Sequence, residues 1–106
     1  MLRSLYSGIT GLRTHQVRMD VVANNIANVN TTAFKSARAN FQDVLAQTIG
    51  RTAINTTQVG LGVGLAAIDN IFTQGALQTT GRVLDLAIEG NGFFVVRDTA
   101  NNDLYT

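Results

Sequence analysis

The chain has 106 residues, enough for one small domain. Apolar residues make up 45% and charged residues 14%, against about 25% charged in an average soluble domain. A surface so poor in charge suits either cover by a partner, the favoured reading, or a small Gly-rich β domain. A net charge of +1 leaves no footprint for nucleic acid, and the absence of cysteine excludes disulfides, zinc clusters and thiol chemistry.

No apolar run reaches the roughly 18 residues a membrane span needs, so no membrane insertion is expected. Nor does the chain open on an apolar block with a small-residue cleavage site, so no cleaved signal peptide is expected. Charge divides the chain. Residues 1–42 carry Arg3, Arg13, Arg18, Lys35 and Arg38 against Asp20, a net of +4. Residues 43–106 carry three arginines against six acids, a net of −3. The change of sign predicts two structural parts.

Residues 2–27 read as one long helix. Leu2, Leu5, Ile9, Leu12, Gln16, Met19, Ala23 and Ile26 step alternately by three and four, a heptad seam with one polar member. The charged residues lie off it. An isolated helix has nothing against which to bury such a seam, so the pattern predicts a helical partner. The competing reading packs the helix on its own β-sheet, which would reward a wider stripe.

Asn24, Asn25, Asn28 and Asn30 then mark the helix end, because asparagine tolerates the left-handed conformation. Thr31 and Thr32 favour extended chain, and Phe34 is an anchor back onto the core. A second, shorter helix is predicted over 37–48, capped by Ser36, from the spacing of Phe41, Val44, Leu45 and Thr48. The polar stretch 50–58 reads as a loop.

From Val59 the pattern turns to strands. Alternation through Val59–Phe72 predicts one strand, and Gln74-Gly75 a turn. Val83–Glu89 and Phe93–Val96, joined by Glu89-Gly90-Asn91-Gly92, predict a β-hairpin. Asp98–Asp103 is a further turn, and Leu104-Tyr105-Thr106 starts a strand too short to close a sheet, so a truncated chain is expected. The predicted class is α+β: a long coiled-coil-type helix, a short helix, and an incomplete antiparallel β domain. The expected divisions are 1–35, 36–58 and 59–106.

No catalytic set emerges. His15 stands alone, so a solvated role is expected for it, and the acids are scattered without metal-ligand or acid–base spacing. Gly60-Leu61-Gly62-Val63-Gly64 lacks the Lys-Ser/Thr and following helix of a phosphate loop; its glycines suit close backbone approach in a sheet. No cofactor and no metal are expected. Arg3, Arg13 and Arg18, with no acid before Asp20, leave a second class of function open: a basic amphipathic helix in a peripheral membrane or adaptor module. Lipid binding that survives physiological salt would mark that class. Growth of tubes with concentration would mark a polymer subunit.

The stretch Ala23-Asn24-Asn25-Ile26-Ala27-Asn28-Val29-Asn30-Thr31-Thr32-Ala33-Phe34-Lys35 resembles the signature of bacterial flagellar basal-body rod, hook and hook-associated proteins. The family usually carries Gly where this chain has Ala33. Residues 1–8 resemble the opening of hook and distal-rod subunits, and Thr80–Phe94 is similar to the first β domain of the same proteins. The resemblance implies several things. The N-terminal helix pairs with the C-terminal helix of the complete protein in the inner wall of a hollow homo-oligomeric tube. A β domain sits outside it. Other axial proteins and the flagellar type III export apparatus are partners, and the hook or basal body is the location. It implies a structural role, not an enzyme. The signature residues are Asn24, Asn25, Asn28, Asn30, Thr32, Phe34 and Lys35. Val59–Val63 and Thr79–Arg82 look more like the hook member, whereas Phe72–Gly75 and Phe41–Asp43 are shared with the distal rod. Hook is the favoured reading.

Overall fold

A computed structural model of the chain describes residues 1–106. Helix α1 spans Leu2–Ala27, as its periodicity predicts. No proline interrupts it, and a Cβ added at either interior glycine, Gly8 or Gly11, would meet nothing within 4 Å. At 1.5 Å per residue it is about 39 Å long. The chain measures 70 × 33 × 25 Å with a radius of gyration of 22.0 Å, where a compact chain of this length would have about 13 Å.

Asn28 closes the helix without turning left-handed (φ −101°, ψ 14°). Its side-chain amide instead donates back to the Asn24 carbonyl at 2.9 Å, while its backbone N–H donates to the same oxygen at 3.1 Å. The left-handed residue of this corner is Ala33, at φ 60°.

The expected second helix is replaced by strands. β1 (Ala37–Asp43) and β2 (Ala46–Arg51) run out, and β3 (Thr56–Gly60) and β4 (Val63–Asn70) run back. β1 pairs with β4 and β2 with β3, both antiparallel. Val44 N–H donates to Gly62 C=O at 3.1 Å and Leu61 N–H to Leu45 C=O at 2.8 Å, so the two ladders join into one long ribbon. A twelve-residue helix would be marginal alone, whereas Thr56–Asn70 gives 37–51 two antiparallel ladders of backbone hydrogen bonds. Non-local pairing overrides the local three-four spacing. Ser36 caps no helix; its carbonyl accepts the Ile71 N–H at 2.7 Å. The stretch 50–58, expected as a loop, supplies strand ends and a tight turn in which Thr52 N–H donates to Asn55 C=O at 2.9 Å. The ribbon therefore runs across the expected division at 58/59.

The other departure is at 83–96. Val83–Glu89 forms no strand. Phe93–Val96 pairs forward with the chain end, as β5 (Val95–Arg97) with β6 (Asp103–Tyr105). The polar turn Asp98–Asn102, with Asn101 at φ 64°, closes that hairpin. Gln74 holds Val83–Asn91 loosely from outside: its amide donates to Ile88 C=O at 3.3 Å and its oxygen accepts Gly90 N–H at 3.0 Å. Phe72 packs edge-on against Phe93, ring centroids 5.4 Å apart.

The composition could fill a core, yet none forms. One residue of 106, Thr14, is buried, and no apolar side chain is. The apolar residues lie instead on the helix seam, on the ribbon and on the unpaired stretch 83–88.

Candidate functional site

The helix has two unlike faces. The seam faces solvent along its whole length: Leu5 is 63% exposed, Leu12 74%, Met19 67% and Ile26 68%. Leu2 and Ile9 are also exposed, as are Gln16 and Ala23. The opposite face, at about 100° per residue, carries Ser7, Thr10, Gly11, Thr14, Val17, Val21 and Asn25, all partly or fully covered. It lies against β1 and β4. The helix does pack on its own β structure, as the competing reading had it, but through small and polar residues that leave the heptad seam free.

His15 is not merely solvated. Its ring meets Phe41 edge-on at 5.6 Å, which steadies β1 against the helix.

The signature segment forms a hydrogen-bonded corner between helix, ribbon and the 73–78 stretch. Asn28 donates to the side-chain oxygen of Asn24 at 3.0 Å and accepts from the Thr31 hydroxyl at 3.1 Å. Asn25 binds both backbone groups of Ala37, donating to its carbonyl at 2.7 Å and accepting its N–H at 3.0 Å. The Thr32 hydroxyl reaches the Gln78 side chain at 3.0 Å, and Lys35 donates to the Thr73 carbonyl at 2.6 Å. Phe34 is half-buried, and Asn30 stands exposed at the turn. A Cβ on Gly75 would come within 3.1–3.3 Å of the Ala33 and Phe34 backbone, so glycine lets the two segments approach closely there. Five of the seven signature side chains thus make hydrogen bonds in this corner. Sequence reasoning assigned the asparagines to helix termination and missed that Asn25 reaches across to β1. It also missed Thr10 and Thr14, whose four-residue spacing on the non-seam face was the available signal.

Beside the corner an open groove of about 1050 Å³ is lined by Phe72, Leu77, Leu86, Ile88 and Phe93 among others. No group of three His, Cys, Asp or Glu side chains gathers there or elsewhere. No helix is long and apolar enough to cross a membrane.

A long helix with an exposed heptad seam on one face and a β ribbon against the other is the arrangement these residues build. The flagella basal body rod protein family matches residues 5–35. The chain is 53% identical to the flagellar hook protein FlgE of Borreliella burgdorferi over 109 residues, covering 95% of this chain and 25% of that protein. It is 52% identical to FlgE of Treponema pallidum over 105 residues, covering 92% of this chain and 23% of that one. To the flagellar basal-body rod protein FlgG of Bacillus subtilis it is 49% identical over 114 residues, covering 100% of this chain and 43% of that protein. Over nearly its whole length the chain is similar to flagellar basal-body rod and hook proteins. It spans about a quarter of the length of the hook relatives it matches.

Proposed function

We propose that this chain is the N-terminal part of a hook subunit of the bacterial flagellum, a structural and non-catalytic component that self-assembles into a tube transmitting torque from motor to filament. The observation that carries the reading is the exposed seam: a heptad face left free while the other face of the same helix is already occupied. Its occupants are the C-terminal helix of the complete protein and the helices of neighbouring copies. The helix forms the tube wall, and the ribbon and the stretch after it lie outside. Neighbouring axial proteins and the flagellar export apparatus are the further partners, and the hook is the location. The spirochaete hook relatives support hook over rod. The Bacillus rod relative, aligned along the whole chain, supports the second reading, a distal rod subunit built by the same packing.

The test is Leu12→Asp in the full-length protein. Burying one such side chain is worth about 1.5–3 kcal/mol, and a carboxylate there must be desolvated or protonated. Electron microscopy of purified hook–basal bodies should show no extended tube, with the subunit still made. Asp20→Ala, off the seam, should assemble as wild type. Normal tubes from Leu12→Asp subunits would remove the seam as the assembly surface, and salt-resistant binding to anionic vesicles would favour a membrane module instead.

A further inference from the structure

We infer that Asn25 and Thr10 are positioning residues that clasp the ribbon to the back of the helix at two points and fix its orientation there. The stronger clasp is at the helix end. Asn25 offers Ala37 one donor at 2.7 Å and one acceptor at 3.0 Å. That is the pattern of a hydrogen-bonded pair in an antiparallel ladder, so the side chain acts as a one-residue surrogate strand on the outer edge of β1. It satisfies at once an N–H and a C=O that pairing with β4 leaves over. An open edge would invite another chain at that point.

The second clasp is near the start of the helix. The Thr10 hydroxyl donates to the Ser7 carbonyl at 2.8 Å and accepts the Val63 N–H at 3.4 Å. Thr14 donates to the Thr10 carbonyl at 2.6 Å, and its hydroxyl lies 3.4 Å from the Val63 carbonyl. It is the one buried residue of the chain. Gly62 makes this approach possible. Its φ is +122°, and a Cβ there would sit 2.3 Å from the Thr10 hydroxyl oxygen.

The two clasps match in spacing. From Thr10 to Asn25 the helix rises about 22 Å. From Ala37 to Asp43, which pairs with Val63, the ribbon covers about 20 Å. Two fixed points at similar separation on both elements set register as well as contact; exposed Arg3 adds a tie farther along the ribbon, donating to the Gln47 side-chain oxygen at 2.8 Å. Between the two clasps Val17 and Val21 are partly covered and His15 meets Phe41 edge-on, but no apolar side chain is buried. The inference concerns the chain itself and holds whether or not the seam drives assembly.

The experiment uses the 106-residue chain, which holds no cysteine. Spin labels at Asp20→Cys on the helix and Ala67→Cys on β4 report the joint as a distance distribution, and amide exchange reports Ala37. Asn25→Ala should speed exchange at Ala37 about tenfold, leave the amides bonded within the β1–β4 ladder unchanged, and replace one narrow distance by a broad one. Thr10→Val should also broaden the distance, and Thr10→Ser, which keeps the oxygen, should restore it. A distance as narrow as wild type in both Asn25→Ala and Thr10→Val would overturn the inference. Loss of protection throughout β1 and β4 in Asn25→Ala would overturn it too, because a positioning residue leaves the ladder intact.

Discussion

Ala33 offers a direct test of the corner. It sits at φ 60°, where a Cβ crowds the following carbonyl and costs about 1–2 kcal/mol. Its N–H nonetheless donates to the Ala76 carbonyl at 3.3 Å, and Thr32 bridges Ala76 beside it, so the strained conformation is held by the stretch it joins. Ala33→Gly removes the crowding and keeps the hydrogen bond. Glycine returns about 0.5–1 kcal/mol through the greater freedom of the unfolded chain. The net gain is about 0.5–1 kcal/mol, the sign being fixed by the left-handed φ. At 1.4 kcal/mol per factor of ten, exchange of the Phe34 amide, which donates to Thr31 C=O at 3.3 Å, should slow about two- to fivefold after correction for intrinsic rates. Ala33→Val should move the other way, since a β-branched residue tolerates positive φ least. If Ala33→Gly speeds exchange, or Ala33→Val leaves it unchanged, the left-handed strain is not carried at this residue.

Gly62→Ala combines a φ of +122° with a Cβ at 2.3 Å from Thr10, so it should release the ribbon from the helix and lower the urea midpoint measured by circular dichroism. An unchanged midpoint would mean that the turn relaxes without loss. Arg97→Ala should behave oppositely: its ion pair with Asp103 at 3.1 Å is 68% and 46% exposed, worth under about 1 kcal/mol, and a salt titration of the midpoint should scarcely separate it from wild type.

The sequence shows the seam clearly because a heptad repeat is a local signal, carried by side chains a turn apart on one element. Its exposure in the structure follows from the same residues. The ribbon was hidden because Phe41, Val44, Leu45 and Thr48 satisfy a helical spacing as well as a strand, and the choice is made by non-local partners: Leu65 for Phe41, Gly62 for Val44, Leu61 for Leu45 and Gln58 for Thr48. For Val83–Glu89 the reverse holds. Its alternation is that of a strand, but β5 finds its partner in Asp103–Tyr105, and alternation without a paired edge leaves extended chain. The signature residues could be picked out by resemblance, while their work could not. That Asn25 faces Ala37 depends on the corner between them folding back, and nothing local in Asn24-Asn25-Ile26 distinguishes it from its neighbour.

The contrast between the two faces of α1 bears on how such a subunit is built. Hydrogen bonds such as those of Asn25 and Thr10 each contribute about 0.5–1.5 kcal/mol net and need defined geometry, so they set orientation more than stability. Seam side chains contribute about 1.5–3 kcal/mol each when covered and tolerate sliding, so they supply strength more than angle. Were the apolar face turned onto the ribbon, the monomer would gain a core and lose the free face on which the proposed assembly rests. Were the polar face turned outward, water would satisfy Asn25 and the ribbon would swing free. On the proposed function, weak, directional contacts inside the chain and strong, non-directional ones outside it would give a piece whose shape is set before assembly and whose stability arrives with it. The single buried residue, Thr14, is what that division predicts: the only closed contact in the free chain lies on the polar face, at the joint.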